Sequence, residues 1–239
     1  MNNRSQSETN ITHASSLRWL QFDAYIFDID GTLLNSRDLV HYRAFQKVLK
    51  EVFKCDRDIT EVHVHGNTDV GILRATTRLA GISDEDFARN LPEVLEAMGH
   101  HVAASAHDFR PEICPSIPRL LDELKSRGKL LGVATGNLEA IAWPKLQAAD
   151  LKHYFSFGSF SDRNEHRSNI FRAAAENARN RLGTAATICF VGDTPDDIKA
   201  ARENNCPILA IATGIYPLEQ LQALNPDFCL RCGDDLFPT

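Results

Sequence analysis

The chain has 239 residues, 43% of them hydrophobic, and carries a net charge of −6. Such a length and composition allow one large domain, or a main domain with a smaller insert, around a sizeable core. The acidic balance excludes a general nucleic-acid or membrane-surface binder, which would present a basic face, but not a local pocket for an anionic small molecule.

Residues Met1 to Arg18 are polar and rich in Ser, Asn and Thr, and read as a disordered tail with nothing resembling a signal peptide. No apolar run reaches the roughly eighteen residues of a membrane helix, so a cytoplasmic setting is expected. The first apolar run is Ala24-Tyr25-Ile26-Phe27, ending at Asp28. Between about residues 37 and 105 no buried strand is legible. Instead Phe45, Val48, Leu49, Val52 and Phe53 form one helical stripe, Ile72, Ala75 and Leu79 a second, and residues 87 to 104 a third. This interval reads as a helical insert over 37–105, with the main domain formed by 19–36 and 106–239. Pro111 and Pro115 bracket the return.

Beyond the insert, short runs alternate with helical patterns. Ile117, Leu120, Leu121 and Leu124 precede Gly128, a C-terminal stop. Runs follow at Leu130 to Ala134, Ile188 to Val191, Ile208 to Ile211 and Phe228 to Leu230, with an edge segment within 155–160. Helices are expected over 138–149 and 169–182. This alternation predicts an α/β fold with a parallel sheet. Six cysteines are too few for a disulfide scaffold. Cys189 lies in an apolar run, and the single CxxC of Cys229 and Cys232 lacks the second pair that a zinc site wants.

Three strand ends carry chemistry. Asp28-Ile29-Asp30-Gly31-Thr32 follows the first run, and ligands of open parallel sheets bind beyond the carboxyl ends of the strands. Two carboxylates there repel unless a divalent cation relieves them, and magnesium prefers hard oxygens. Thr135-Gly136-Asn137 opens a helix after the second run, which offers a hydroxyl, backbone N–H groups and a helix N-terminus to an anion, or an ordinary cap. Gly192-Asp193-Thr194-Pro195-Asp196-Asp197 closes the third. Asp193 stands at the strand tip, whereas Asp196 and Asp197 also suit a helix start.

With these segments the chain resembles the haloacid dehalogenase-like hydrolases, on the phosphatase side, and most of all their phosphoglycolate-phosphatase-like group. DIDGT at 28–32 matches the first motif, Thr135 the second and GDTPDD at 192–197 the fourth. The resemblance implies a Rossmann-like core with a helical C1-type cap inserted after the first motif. It also implies a magnesium-dependent phosphatase acting on a small phosphorylated metabolite. Asp28 is the implied nucleophile, Asp30 the acid and base, and Thr135 and its neighbours Gly136 and Asn137 the phosphate binders. The implied metal set is Asp28, the Asp30 carbonyl and Asp193, with Asp197, or else Asp196, supporting a metal-bound water.

The third motif departs from the family pattern. Residues 160–170 contain no lysine, and Arg167 stands before the alanine-rich helix where the basic residue is expected, with Arg163, Lys145 and Lys152 as competitors. An arginine there offers forked rather than point-charge geometry. His166 beside it reads as a loop residue. Gly66, Thr68 and Asp69 resemble the cap segment that helps choose the substrate, and equally a turn followed by a helix cap. The rival activities are a carbon–halogen hydrolase, against which Asp30 and Asp193 speak, a phosphonate hydrolase using a cap lysine (Lys47, Lys50 or Lys54), a phosphomutase, and a catalytically silent phosphate-binding module.

Overall fold

In the computed structural model, which describes residues 18–36 and 38–237, the apolar runs lie side by side in one parallel sheet. Its strands are β1 (Ala24–Phe27), β4 (Leu130–Ala134), β5 (Phe157–Ser159), β6 (Ile188–Gly192), β7 (Ile208–Ile211) and β8 (Phe228–Leu230), in the order β5-β4-β1-β6-β7-β8. Two further short strands, β2 (Leu34–Ser36) and β3 (Pro111–Ile113), pair antiparallel at the two crossings between sheet and insert. No apolar run marks that ribbon in the sequence, because each strand has only three residues and β3 opens on a proline. The tail expected over 1–18 lies outside the described residues, apart from Arg18, which begins a 3-10 turn over Arg18–Gln21.

The position of β1 decides where the motifs meet. Phe27 is in register with Val133 of β4 on one side and Val191 of β6 on the other. The three motif-bearing strand ends are therefore neighbours at one edge. From β1 the chain goes to β4 and β5 on one side and then returns to β6, β7 and β8 on the other, and this reversal opens the crevice where α/β sheets bind ligands.

Alternation along β1 divides the core. Tyr25 and Phe27 join a cluster with Leu120, Leu121 and Leu124 of α4 (Ile117–Ser126), while Ala24 and Ile26 face the opposite layer. That layer is covered by α6 (Arg167–Leu182), whose Ala174, Ala175 and Ala178 let the helix approach the sheet closely. Phe171 of α6 stacks on Phe190 of β6 with ring centroids 4.1 Å apart. The remaining helices of the sheet layers are α5 (Glu139–Ala148), α7 (Pro195–Glu203) and the short α8 (Leu218–Gln222).

Residues 40–105 contain α1 (Val40–Phe53), α2 (Asp69–Leu79) and α3 (Asp84–Ser105). Their apolar faces close on one another through Phe45, Val48, Leu49, Leu73, Phe87 and Met98. Leu138 and Ile141 of the sheet domain join that cluster, so the insert is seated on the segment that follows β4. Among the described residues no helix is long and apolar enough to cross a membrane.

Candidate active site

Asp28 continues β1, its N–H donating to the Val191 carbonyl at 2.9 Å. Its side chain is buried and points at Arg167, whose Nη2 lies 2.7 Å from Asp28 Oδ2. The same nitrogen is 2.6 Å from Asp197 Oδ1, which also accepts from Arg167 Nε at 2.8 Å. Arg167 Nη1 donates to the Gly66 carbonyl of the insert at 3.1 Å. One guanidinium thus ties together the end of β1, the first turn of α7 and the insert. Its competitors for this place are elsewhere: Arg163 is exposed, Lys152 reaches over the Trp143 ring, and Lys145 pairs with Asp30.

Asp28, Asp193 and Asp197 form a buried carboxylate triad, with one oxygen from each lying within 4.8 Å of the others. Local structure fixes each member. Asp193 accepts from Thr32 Oγ1 at 2.8 Å, and Gly31, with φ of +84°, passes so close that a Cβ there would lie 2.2 Å from Asp193 Oδ2. Asp197 closes a capping box on α7, accepting from the Thr194 N–H and hydroxyl at 3.0 and 2.7 Å. Asp196 is by contrast half-exposed, with His63 Nε2 3.9 Å from its Oδ2, so the buried member of that pair is Asp197.

Electrostatics describe a site short of positive charge. Burial, with Asp197 and Asp30 adding to it against the pull of Arg167, pushes the Asp28 carboxyl up to about 6. Burial, followed by repulsion from Asp197 and Asp28, holds Asp193 well above the usual carboxylate range. With all three ionised, one guanidinium leaves two negative charges unmatched. A divalent cation supplies that charge, and an all-oxygen donor set suits a hard ion such as magnesium. The residues present therefore fit the metal that the sequence implies.

Asp30 is not part of the triad. Its two oxygens each accept from Lys145 Nζ at 2.8 Å, and Oδ2 accepts from Asn137 Nδ2 at 2.8 Å. The Asp30 carboxylate is thus engaged outside the triad. Burial works to raise the Asp30 carboxyl, but Lys145, with help from His41 and Asn137, holds it below the usual range. Thr135 is buried at the end of β4 and caps its own turn, accepting from the Asn137 N–H at 3.3 Å. A Cβ on Gly136 would meet the Asn67 carbonyl oxygen at 2.3 Å, so only glycine lets the insert loop lie on this turn.

Asp28, Asp30, Thr135, Gly136, Asn137, Arg167 and Asp193 line a cavity of about 430 Å³ between sheet and insert. Its far wall is apolar, with Phe45, Ile59, Val64 and Ile72, and carries His41. Gly66 and Asp69 line it too. Asp69, however, is engaged with the sheet domain: Oδ2 accepts from the Leu138 N–H at 2.8 Å, and Oδ1 lies 3.2 Å from His41 Nε2. Thr68, read either as a substrate contact or as a helix cap, does not line the cavity. It caps α2 through the Gly71 N–H and donates to the Glu165 carbonyl at 2.6 Å, so its hydroxyl is already spent. Arg74 adds a bidentate pair to Glu165 at 2.6 and 2.7 Å. This tether has no motif behind it and was invisible in the sequence. His166 is the exposed residue preceding α6, without a side-chain cap bond.

A family model described as haloacid dehalogenase-like hydrolase matches residues 25–211, a span that holds the triad, Asp30, Thr135 and Arg167. The chain belongs to that family. Similar members include a protein of Dickeya dadantii strain 3937 named "Probable phosphatase IndB", 28% identical over 84% of this chain and 86% of its own length. The phosphoglycolate phosphatase of Synechococcus elongatus is 27% identical over 89% and 94% of the two chains. Among solved structures, a haloacid dehalogenase-like hydrolase of Streptococcus pneumoniae superposes with a TM-score of 0.59 at 22% identity, covering 88% of this chain and 94% of its own. CbbY from Rhodobacter sphaeroides in complex with phosphate gives 0.57 at 17% identity, over 82% and 90%. These structural likenesses carry the fold. The family assignment rests on the sequence match.

Proposed function

We propose that this hydrolase is a magnesium-dependent phosphatase that cleaves a small phosphate monoester through an aspartyl-phosphate on Asp28. The observation that carries the reading is a buried carboxylate, Asp28, facing the cavity between sheet and insert with Arg167 at 2.7 Å and a second carboxylate, Asp30, held separately by Lys145. The relatives named as phosphatases support the same class.

In this mechanism an Asp28 oxygen attacks phosphorus as the ester P–O bond breaks, and Asp30, which takes up a proton from solvent as substrate enters, delivers it to the departing oxygen. Asp30 then takes a proton from the water that attacks phosphorus, the bond to Asp28 breaks, and inorganic phosphate leaves. Arg167, Thr135 and the N–H groups of 136–137 hold the phosphoryl oxygens where charge builds up. Asp28, Asp193 and the Asp30 carbonyl would hold magnesium, with Asp197 behind them, and the ion would offset repulsion between carboxylate and phosphate. The insert serves as a cap that excludes water. A cytoplasmic setting fits the six free cysteines.

The phosphonate-hydrolase rival loses ground. Lys47, Lys50 and Lys54 are exposed, and the lysine that lines the cavity among the described residues is Lys145, from the sheet domain. The deciding experiment is phosphate release from a panel of small phosphate esters, with and without magnesium, with Asp28→Asn as the blank. Release that survives either omission refutes the mechanism, and turnover without free phosphate would indicate a mutase.

Two expected outcomes follow from the site's construction. Magnesium at ten times its Kd should stabilise the protein by about 1.4 kcal/mol, or roughly 3–6 °C in a thermal melt. Asp193→Asn should remove that shift, and an undiminished shift would place the ion elsewhere. Gly136→Ala forces the cap loop off the Thr135 turn, and misplacement of about 1 Å is worth on the order of 10²-fold in rate. Steady-state kinetics on a variant of near-normal melting temperature check this, and an unchanged kcat/KM would count against the loop's part in assembling the site.

A further inference from the structure

Lysine is almost never fully buried without a partner, yet Lys145 keeps 2% of its accessible surface. It lies on the inward face of α5 with Ile141, Ala142 and Leu146, a face otherwise apolar. Ala142 and Leu146 pack into the sheet domain and Ile141 into the insert, so Lys145 stands at the seam where the cavity opens. A methionine of similar length would fill this place, and pairing a buried ammonium with the part-exposed Asp30 carboxylate gives little or no stability over such a replacement. The charge is therefore best explained by what it does to its partner.

Among the described residues that partner is Asp30 alone. Both carboxylate oxygens sit 2.8 Å from Nζ, with Asn137 bracing one of them from the adjacent turn. Asp28 and Asp197 are served by Arg167 instead. The two buried cations thus divide the carboxylates between them, one for the attacking group and one for the group that handles the proton. We propose that Lys145 is a positioning residue that aims Asp30 at the leaving-group oxygen, a role that rests on the phosphatase reading above.

The test uses leaving groups. An alkoxide departs slowly unless it is protonated, whereas 4-nitrophenolate departs without help, and kcat/KM reports only the steps up to that departure. Lys145→Met, assayed with magnesium, is expected to lower kcat/KM about 100-fold for the best alkyl ester of the panel and less than about 5-fold for 4-nitrophenyl phosphate. Equal losses on both esters, or no loss, would overturn the assignment, since a merely structural or phosphate-gripping lysine does not distinguish leaving groups. Should Lys145→Met fail to fold, Asp30→Asn and the double variant Asp30→Asn/Lys145→Met replace it. The double variant is expected to match Asp30→Asn on the alkyl ester, and a further drop would overturn the proposal. A wild-type protein silent on both esters would refute the phosphatase reading itself, and this role with it.

Discussion

Asparagine at position 28 is expected to stop phosphate release, by on the order of 10⁴-fold or more, while leaving the metal-free protein at least as stable as wild type. The first half follows from chemistry: the amide keeps the shape of the side chain and removes the attacking oxygen, and loss of a nucleophile typically removes most of an enzyme's rate enhancement. The second half follows from charge. Asp28 shares a buried space with Asp193 and Asp197, and Arg167 keeps its pairing to Asp197 when Asp28 becomes neutral. Burial raises the Asp28 carboxyl from 3.8 to about 6, so between those values the folded protein binds the proton more tightly than the unfolded chain. The sign of the linkage is then fixed: this group's contribution makes the metal-free protein lose stability as pH rises from about 4 to about 6. Asp28→Asn should lack that component. Thermal melts of both proteins across this range, without metal, measure the difference directly. A variant that melts far below wild type would mean that the Asp28–Arg167 pair outweighs the repulsion, and residual steady turnover would remove Asp28 from the nucleophile's role.

What the sequence made legible was chemistry at strand ends. Asp28, Thr135 and Asp193 each follow an apolar run, and such runs can be read because four or five β-rich residues in a row have few other uses. Strand order is a different matter. That β1 lies between β4 and β6, which brings the three ends together, depends on long-range pairing that no local pattern encodes. The choice of Arg167 over Lys145 was open for the same reason. Both are cations near the third-motif region, and only the packing shows that one meets Asp28 and the other Asp30. Thr68 was ambiguous because a helix cap and a ligand contact ask for the same hydroxyl, and here Gly71 and Glu165 have claimed it. The β2–β3 ribbon escaped notice because three residues beside a proline carry too little alternation to stand out.

Arg167 carries the second large expected effect, and it bears on what an arginine does at this position that a lysine would not. Removing the guanidinium in Arg167→Ala leaves Asp28 and Asp197 buried without their counter-charge and the Gly66 carbonyl without its donor. Breaking a buried pair from one side costs about 3–5 kcal/mol, or roughly 6–20 °C of melting temperature for a chain of this size. Magnesium should recover part of that loss, because it restores positive charge to the same carboxylates. The rate should fall by about 10³-fold, since the phosphoryl oxygens lose their fixed cation. Arg167→Lys separates charge from shape. A lysine keeps the charge and can meet Asp28, but its single ammonium cannot also reproduce the fork on Asp197 and the contact to Gly66. It should therefore stand between the two, with stability largely kept and kcat/KM reduced roughly 10–100-fold through a loosened cap. Lysine performing as well as arginine would show that only charge matters at this position. An active Arg167→Ala would move the phosphoryl-binding role to Lys145, the other buried cation in the cavity.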